Sequence, residues 1–98
     1  MLFVIQALDR PDGTAKRQPV YAAHRAHLDT AADYGVTLVM SGPLVADDGT
    51  TPIGSMFVVE AEDRAAAEAF NKADPFYAAG IWGPVSIHGF INRRAQQQ

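Results

Sequence analysis

The residues of this sequence best suited to moving protons are a histidine inside a helical pattern and an aspartate much later in the chain, standing directly before a proline. His24 follows Val20 by four residues and precedes Leu28 by four. Val20, Ala23, His24, His27, Leu28 and Ala31 recur at intervals of three and four, so they share one helical face. An imidazole on such a face takes and returns protons near neutral pH when a carboxylate fixes its tautomer. Two carboxylates qualify. Asp74 opens the run Asp74-Pro75-Phe76-Tyr77-Ala78-Ala79-Gly80, and the proline pushes it out of helical geometry, so its side chain can turn back toward the first helix. Asp9 closes the first apolar run next to the start of that helix. The blander reading makes His24 a buried neutral ring hydrogen-bonded to a backbone carbonyl, and either aspartate a turn or capping residue.

Around this pair stand residues suited to binding. Arg17, in the first turn of the helix, can hold a carboxylate through two parallel bonds, or else is a solvated helix start. Ser41 and Gly42 end one predicted strand, Ser55 begins another, and either hydroxyl can orient a substrate or serve only the turn. Phe76, Tyr77 and Trp82 are candidates for an apolar wall, with core packing as the alternative. His24 and His27 lie one helical turn apart, but two histidines are too few for a zinc site without a carboxylate such as Asp74, and no metal is expected. His88, alternating with Ser86 and Phe90, reads as a sheet-face residue. No Gly-X-Ser-X-Gly elbow appears, which disfavours a serine nucleophile. No Gly-X-Gly-X-X-Gly follows a strand, so no nucleotide cofactor is implied.

These side chains need a scaffold, and 98 residues provide one domain with a single core. The share of hydrophobic residues is 48% and of charged residues 19%, the balance of a globular chain rather than a disordered one. With a net charge of −3 and no basic cluster beyond Arg93-Arg94, the electrostatic footprint of nucleic-acid binding is missing, and no nucleic-acid partner is expected. The absence of cysteine removes disulfides and thiolate chemistry and is compatible with the cytoplasm. Leu2-Phe3-Val4-Ile5 is too short to span a membrane and lacks the preceding positive charge of a signal peptide. The expectation is a soluble cytoplasmic protein with no membrane partner.

Residues 1–8 read as a strand closed by the turn-forming Asp9-Arg10-Pro11-Asp12-Gly13. A helix follows from about 17 to 34, stopped by Gly35. Residues 36–40 form a second strand ended by Ser41-Gly42-Pro43, residues 45–52 a loop, and residues 54–60 a third strand. Asp63 caps a second helix to about Lys72, with Ala66, Ala67, Phe70 and Ala73 inward. Residues 76–80 make a further short turn, residues 85–91 a last strand, and the end of the chain, 93–98, a polar tail after a single domain of residues 1–92. The order β-α-β-β-α-β predicts the ferredoxin-like α+β fold, a four-stranded antiparallel sheet with two helices on one face. Both faces of the first and third strands are apolar, so the uncovered face calls for a second copy of the sheet, and a homodimer is predicted, with higher association left open.

Arg17, His24, Ser41-Gly42-Pro43, Gly54-Ser55 and Asp74-Pro75-Phe76 with Gly80 fall in an order and spacing that resembles the YCII-like (YciI-like) family of small bacterial proteins, over nearly the whole chain. The resemblance implies the dimeric α+β barrel fold, shared with muconolactone isomerase. It also implies a histidine and an aspartate as the catalytic pair, here His24 with Asp74 or Asp9. Relatives with such domains include a dehydrochlorinase of aromatic degradation. The implied activity is isomerase- or lyase-like proton transfer on a small organic substrate, without a cofactor. The alternative is a non-catalytic small-molecule-binding or accessory dimer in which His24 makes a structural hydrogen bond.

Overall fold

The computed structural model describes residues 1–95, and within them the expected ferredoxin-like α+β arrangement is present. Strands β1 (Leu2–Leu8), β2 (Val36–Val45), β3 (Pro52–Ala61) and β4 (Ser86–Phe90) form one antiparallel sheet in the order β2-β3-β1-β4. Helices α1 (Arg17–Leu28) and α2 (Arg64–Lys72) make the crossovers, and a one-turn helix α3 (Pro75–Ala78) follows α2. Residues directly opposite in an antiparallel pair share a face, so the register defines both sides of the sheet. Phe3, Ile5, Phe57, Val59 and Ile87 face the helices and are buried together with Phe70, Phe76, Ile81 and Trp82. Burying a side chain of this size stabilises by about 1.5–3 kcal/mol, which makes this layer the main source of stability.

The outer face carries Leu2, Val4, Met40, Met56, Val58 and Phe90, with Met40 and Phe90 left exposed. No helix among the described residues is long and apolar enough to cross a membrane.

Three local expectations are corrected. The first helix ends at Leu28, not at Tyr34, because Thr30 turns back and donates its hydroxyl to the His27 carbonyl at 2.6 Å, replacing a helical bond. A separate 3-10 turn, Ala31–Tyr34, then leads into Gly35, whose φ of 69° is the left-handed conformation that glycine adopts at no cost. The second strand does not stop at Ser41-Gly42-Pro43 but continues to Val45. Pro43 is tolerated because β2 is an edge strand, where a missing N–H breaks no ladder on the open side. The loop is therefore shorter than expected. The Asp48 carboxylate closes it, accepting from the Thr50 and Thr51 amides at 2.9 Å each and from the Thr51 hydroxyl, bonds that hold it down at about 2. Finally, Ala23 and Ala73 face solvent, and Asn71 takes the inward place beside Ala67 and Phe70.

Of the polar tail, residues 93–95 carry no regular structure, and 96–98 lie outside the described residues.

Candidate active site

Asp63 caps α2 by accepting from the Ala66 amide, and the helix runs until the Asp74-Pro75 step breaks it. Asp74 is extended there, at φ −67° and ψ 129°, as a residue before proline should be. Its Oδ1 caps α3 by accepting the Phe76 amide at 2.9 Å. Both carboxylate oxygens also lie within bonding distance of His24 Nδ1, at 2.9 and 2.8 Å. His24 is the one buried residue of α1, and Asp74 is 2% exposed. A carboxylate only accepts, so the Nδ1 proton is donated to Asp74 and the lone pair of the ring is at Nε2. The ring lies flat on Phe76, centroids 4.0 Å apart and planes within 4°, and meets the edge of Phe57 at 6.1 Å. Packing on two aromatic rings and a buried partner leaves the imidazole one orientation.

Asp9 is occupied elsewhere. Arg17 Nε and Nη2 donate to its two oxygens at 2.8 Å each, and the Thr14 hydroxyl adds a third bond at 2.9 Å. Arg17 Nη2 also reaches the Gly54 carbonyl at 2.7 Å and Ser55 Oγ at 3.0 Å. Trp82 Nε1 donates to the same Ser55 Oγ at 3.0 Å, and the Arg17 guanidinium carbon stands 5.2 Å from the Phe76 ring centre. Trp82 is carried to this place by residues 81–83 running beside the end of β1, through Arg10 N–H to Ile81 O and Gly83 N–H to Leu8 O. Ser55 thus ties α1, β3 and the segment before β4 together.

Between α1 and the inner face of the sheet lies a cavity of about 640 Å³. Its lining includes Arg17, His24, Ser41, Gly42, Ser55 and Phe76 from the predicted set. Ser41 reaches it through a bulge. The register slips at Val39, and the extra residue turns Ser41 and Pro43 to the inner side opposite Phe57 and Ser55. His24 Nε2 has no partner among the described residues, yet it is not a buried orphan, so it opens toward this cavity. His27 instead donates Nε2–H to the Phe70 carbonyl at 2.7 Å and stacks on Phe70. Among the described residues no three His, Asp or Glu side chains come together as metal ligands.

The cavity also has lining residues outside the predicted set, notably Gln18, Tyr21, Arg25 and Pro52. Gln18, Tyr21, Arg25 and Leu28 are spaced three, four and three apart, a stripe beside the one that carries Arg17 and His24, and that spacing was readable.

The profile of the YCII-related domain matches residues 1–91. Protein YciI of Escherichia coli O6:H1 and its counterpart in Shigella flexneri are each 40% identical to this chain over 95 residues, covering 92% of it and 96% of their own length. Among solved structures, 5-chloro-2-hydroxyhydroquinone dehydrochlorinase (TftG) from Burkholderia phenoliruptrix AC1100, in complex with 2,5-dihydroxybenzoquinone, superposes with a TM-score of 0.79. It is 30% identical, with 93% of this chain and 94% of that one covered. Rv0793 from Mycobacterium tuberculosis, 14% identical over 96% of this chain and 97% of its own, shares the fold at a TM-score of 0.50.

Proposed function

The chain belongs to the YCII-related domain family, and from that premise we propose that it is a proton-transfer enzyme, lyase- or isomerase-like, acting on a small hydroxylated or carboxylated organic molecule. The observation that carries the proposal is the His24–Asp74 pair, with Nδ1–H bound to a buried carboxylate and Nε2 turned to a cavity large enough for a single ring. Nε2 takes a proton from an acidic C–H or O–H of the substrate, and Asp74 stabilises the imidazolium that forms. The electron pair left behind either expels a leaving group from the neighbouring carbon or shifts a double bond. In the shift, the proton returns from Nε2 to another carbon. In the elimination, it leaves with the departing anion as an acid. Such chemistry needs a base, an orienting acid and a dry pocket, and no cofactor.

Asp9 acts at one remove in this reading: it holds Arg17, which holds Ser55. Ser41 and Gly42 line the cavity from the edge strand and Phe76 packs behind the base. The likeness to a dehydrochlorinase solved with a hydroxyquinone supports elimination on an oxidised aromatic. The apolar outer face supports a twofold homodimer that buries Val4, Met40, Met56 and Phe90 and leaves the cavity on the opposite side of the sheet.

The test is chloride release from 5-chloro-2-hydroxyhydroquinone, together with solvent-deuteron incorporation into a panel of hydroxylated quinones, enolisable acids and unsaturated lactones. Wild type should turn over at least one, and His24→Gln should lose at least about 10²-fold of that rate with its fold intact. A His24→Gln protein that keeps the wild-type rate, or one that is inactive on the panel alongside an equally inactive wild type, overturns the proposal in favour of a binding module with a structural His–Asp pair.

A further inference from the structure

Ser55 is 4% exposed, and its Oγ receives two N–H groups, from Arg17 and from Trp82. A hydroxyl oxygen has two acceptor positions, so both are taken and only its proton remains to be placed. That proton finds no acceptor among the described residues, and Ser55 lines the cavity. Arg17 is in the same position. Its Nε and Nη2 are bound to protein oxygens, while Nη1, with two N–H groups, has no partner among the described residues. Further out on the same helix, Arg25 lines the cavity, is exposed, forms no ion pair among the described residues and rests its guanidinium 5.9 Å from the Tyr21 ring centre.

Among the described residues no carboxylate stands against these donors. Asp9 and Asp74 lie behind Arg17 and His24 with their oxygens bonded to them, and no acidic side chain reaches the cavity lining. A chain of net charge −3 therefore encloses a cavity lined by two arginines, a histidine and a serine with its proton to give. Asp9 offsets the charge of Arg17, so what faces the cavity is a set of N–H and O–H donors, with the exposed Arg25 as a cation that has no ion-pair partner among the described residues. Of the two buried polar side chains that line the cavity among the described residues, His24 offers an acceptor, at Nε2, and Ser55 a proton.

We propose that the site takes its substrate as a small oxyanion, a carboxylate or an ionised enol or phenol, whose charged oxygen lies on the Ser55 O–H and Arg17 Nη1 while its acidic hydrogen meets Nε2. Arg25 at the entrance supplies the longer-range attraction. This substrate class rests on the proton-transfer reading of the site. A neutral ether in the same place offers these three donors only uncharged acceptors, whose hydrogen bonds are about half as strong as those to an oxyanion, and that is the basis of selection.

The probe is 2,5-dihydroxybenzoquinone, a vinylogous acid ionised at neutral pH, titrated beside its neutral dimethyl ether, 2,5-dimethoxybenzoquinone. The protein is the full chain, as wild type, Ser55→Ala, Arg25→Gln and His24→Gln. The acid should bind wild type at least about a hundredfold more tightly than the ether. Ser55→Ala should weaken it by about tenfold or more, the loss of one hydrogen bond to a charged group. Because Ser55 is also a packing element, Arg25→Gln gives an independent reading on a surface residue. It should weaken binding a few-fold and flatten the salt dependence between about 0.05 and 0.5 M. Equal binding of acid and ether, binding of neither, or an Arg25→Gln protein with unchanged affinity and salt dependence overturns the proposal. The two readings fail separately. A wild type that binds the acid selectively but moves no proton refutes only the enzyme, and one that turns over the neutral ether equally well refutes only the oxyanion.

Discussion

Replacing Asp74 by Asn changes almost no volume and yet should move a proton from one side of the His24 ring to the other. Asp74 makes three contacts, two to His24 Nδ1 and one to the Phe76 amide. Asn retains one acceptor oxygen, which suffices for the Phe76 amide, but its other arm is an amide NH₂ facing Nδ1. Two donors cannot face each other, so Nδ1 becomes the acceptor and the proton passes to Nε2. One charge-assisted bond is thereby exchanged for a neutral one, a loss of about 1–1.5 kcal/mol. For a domain of this size that is a fall in Tm of roughly 4–12 °C, with the fold retained. The effect on turnover should be far larger, about 10³–10⁴-fold, because the lone pair no longer points into the cavity. Nitrogen-15 NMR of labelled histidine reads the tautomer directly, with turnover measured on the same sample. An Asp74→Asn protein that keeps turnover within about tenfold of wild type refutes the reasoning. So does one that loses turnover while Nδ1 still carries the proton, because the tautomer would then not be the cause.

Two further outcomes test the scaffold. At Gly13 an added Cβ would stand 2.1 Å from the Ile81 carbonyl oxygen and 2.9 Å from its carbon, both backbone atoms. Gly13→Ala should therefore lower Tm by roughly 8–24 °C, the equivalent of about 2–3 kcal/mol of overpacking, and a calorimetric scan showing no change would remove the close crossing. On the outer sheet face, Val4→Asp places a charge opposite Val58 and His88. Light scattering should show wild type at twice the mass of the chain and the variant at one, and a monomeric wild type would refute the dimer.

The sequence carried the parts of this molecule that rest on short-range rules. Spacing alone placed His24 on the inward face of α1, Asp63 at the start of α2, and Asp74 at a break forced by Pro75. The ferredoxin-like four-stranded sheet followed from the order of the elements along the chain. Pairings across the fold were not legible. Whether Asp9 or Asp74 meets His24 depends on how α3 is set against α1, and both aspartates precede turns that look alike in sequence. Ser41 reaches the cavity only because a bulge at Val39 changes the parity of β2, and no residue type announces that bulge. Nothing in the sequence singled out Arg25, because what sets it apart is spatial: it lines a cavity that no acidic side chain of the described residues lines.

The four-residue helix α3 begins on the same carboxylate oxygen that steadies the histidine. The cap of that helix and the orientation of the base are thus one event. Each time α3 unwinds far enough to expose the Phe76 amide to solvent, the ring also loses its partner and the face it stacks on. The protection of a single backbone amide against hydrogen exchange therefore measures how long the site stays assembled. A substitution anywhere in the chain that shortens that interval lowers the fraction of molecules able to work, with every residue of the cavity unchanged.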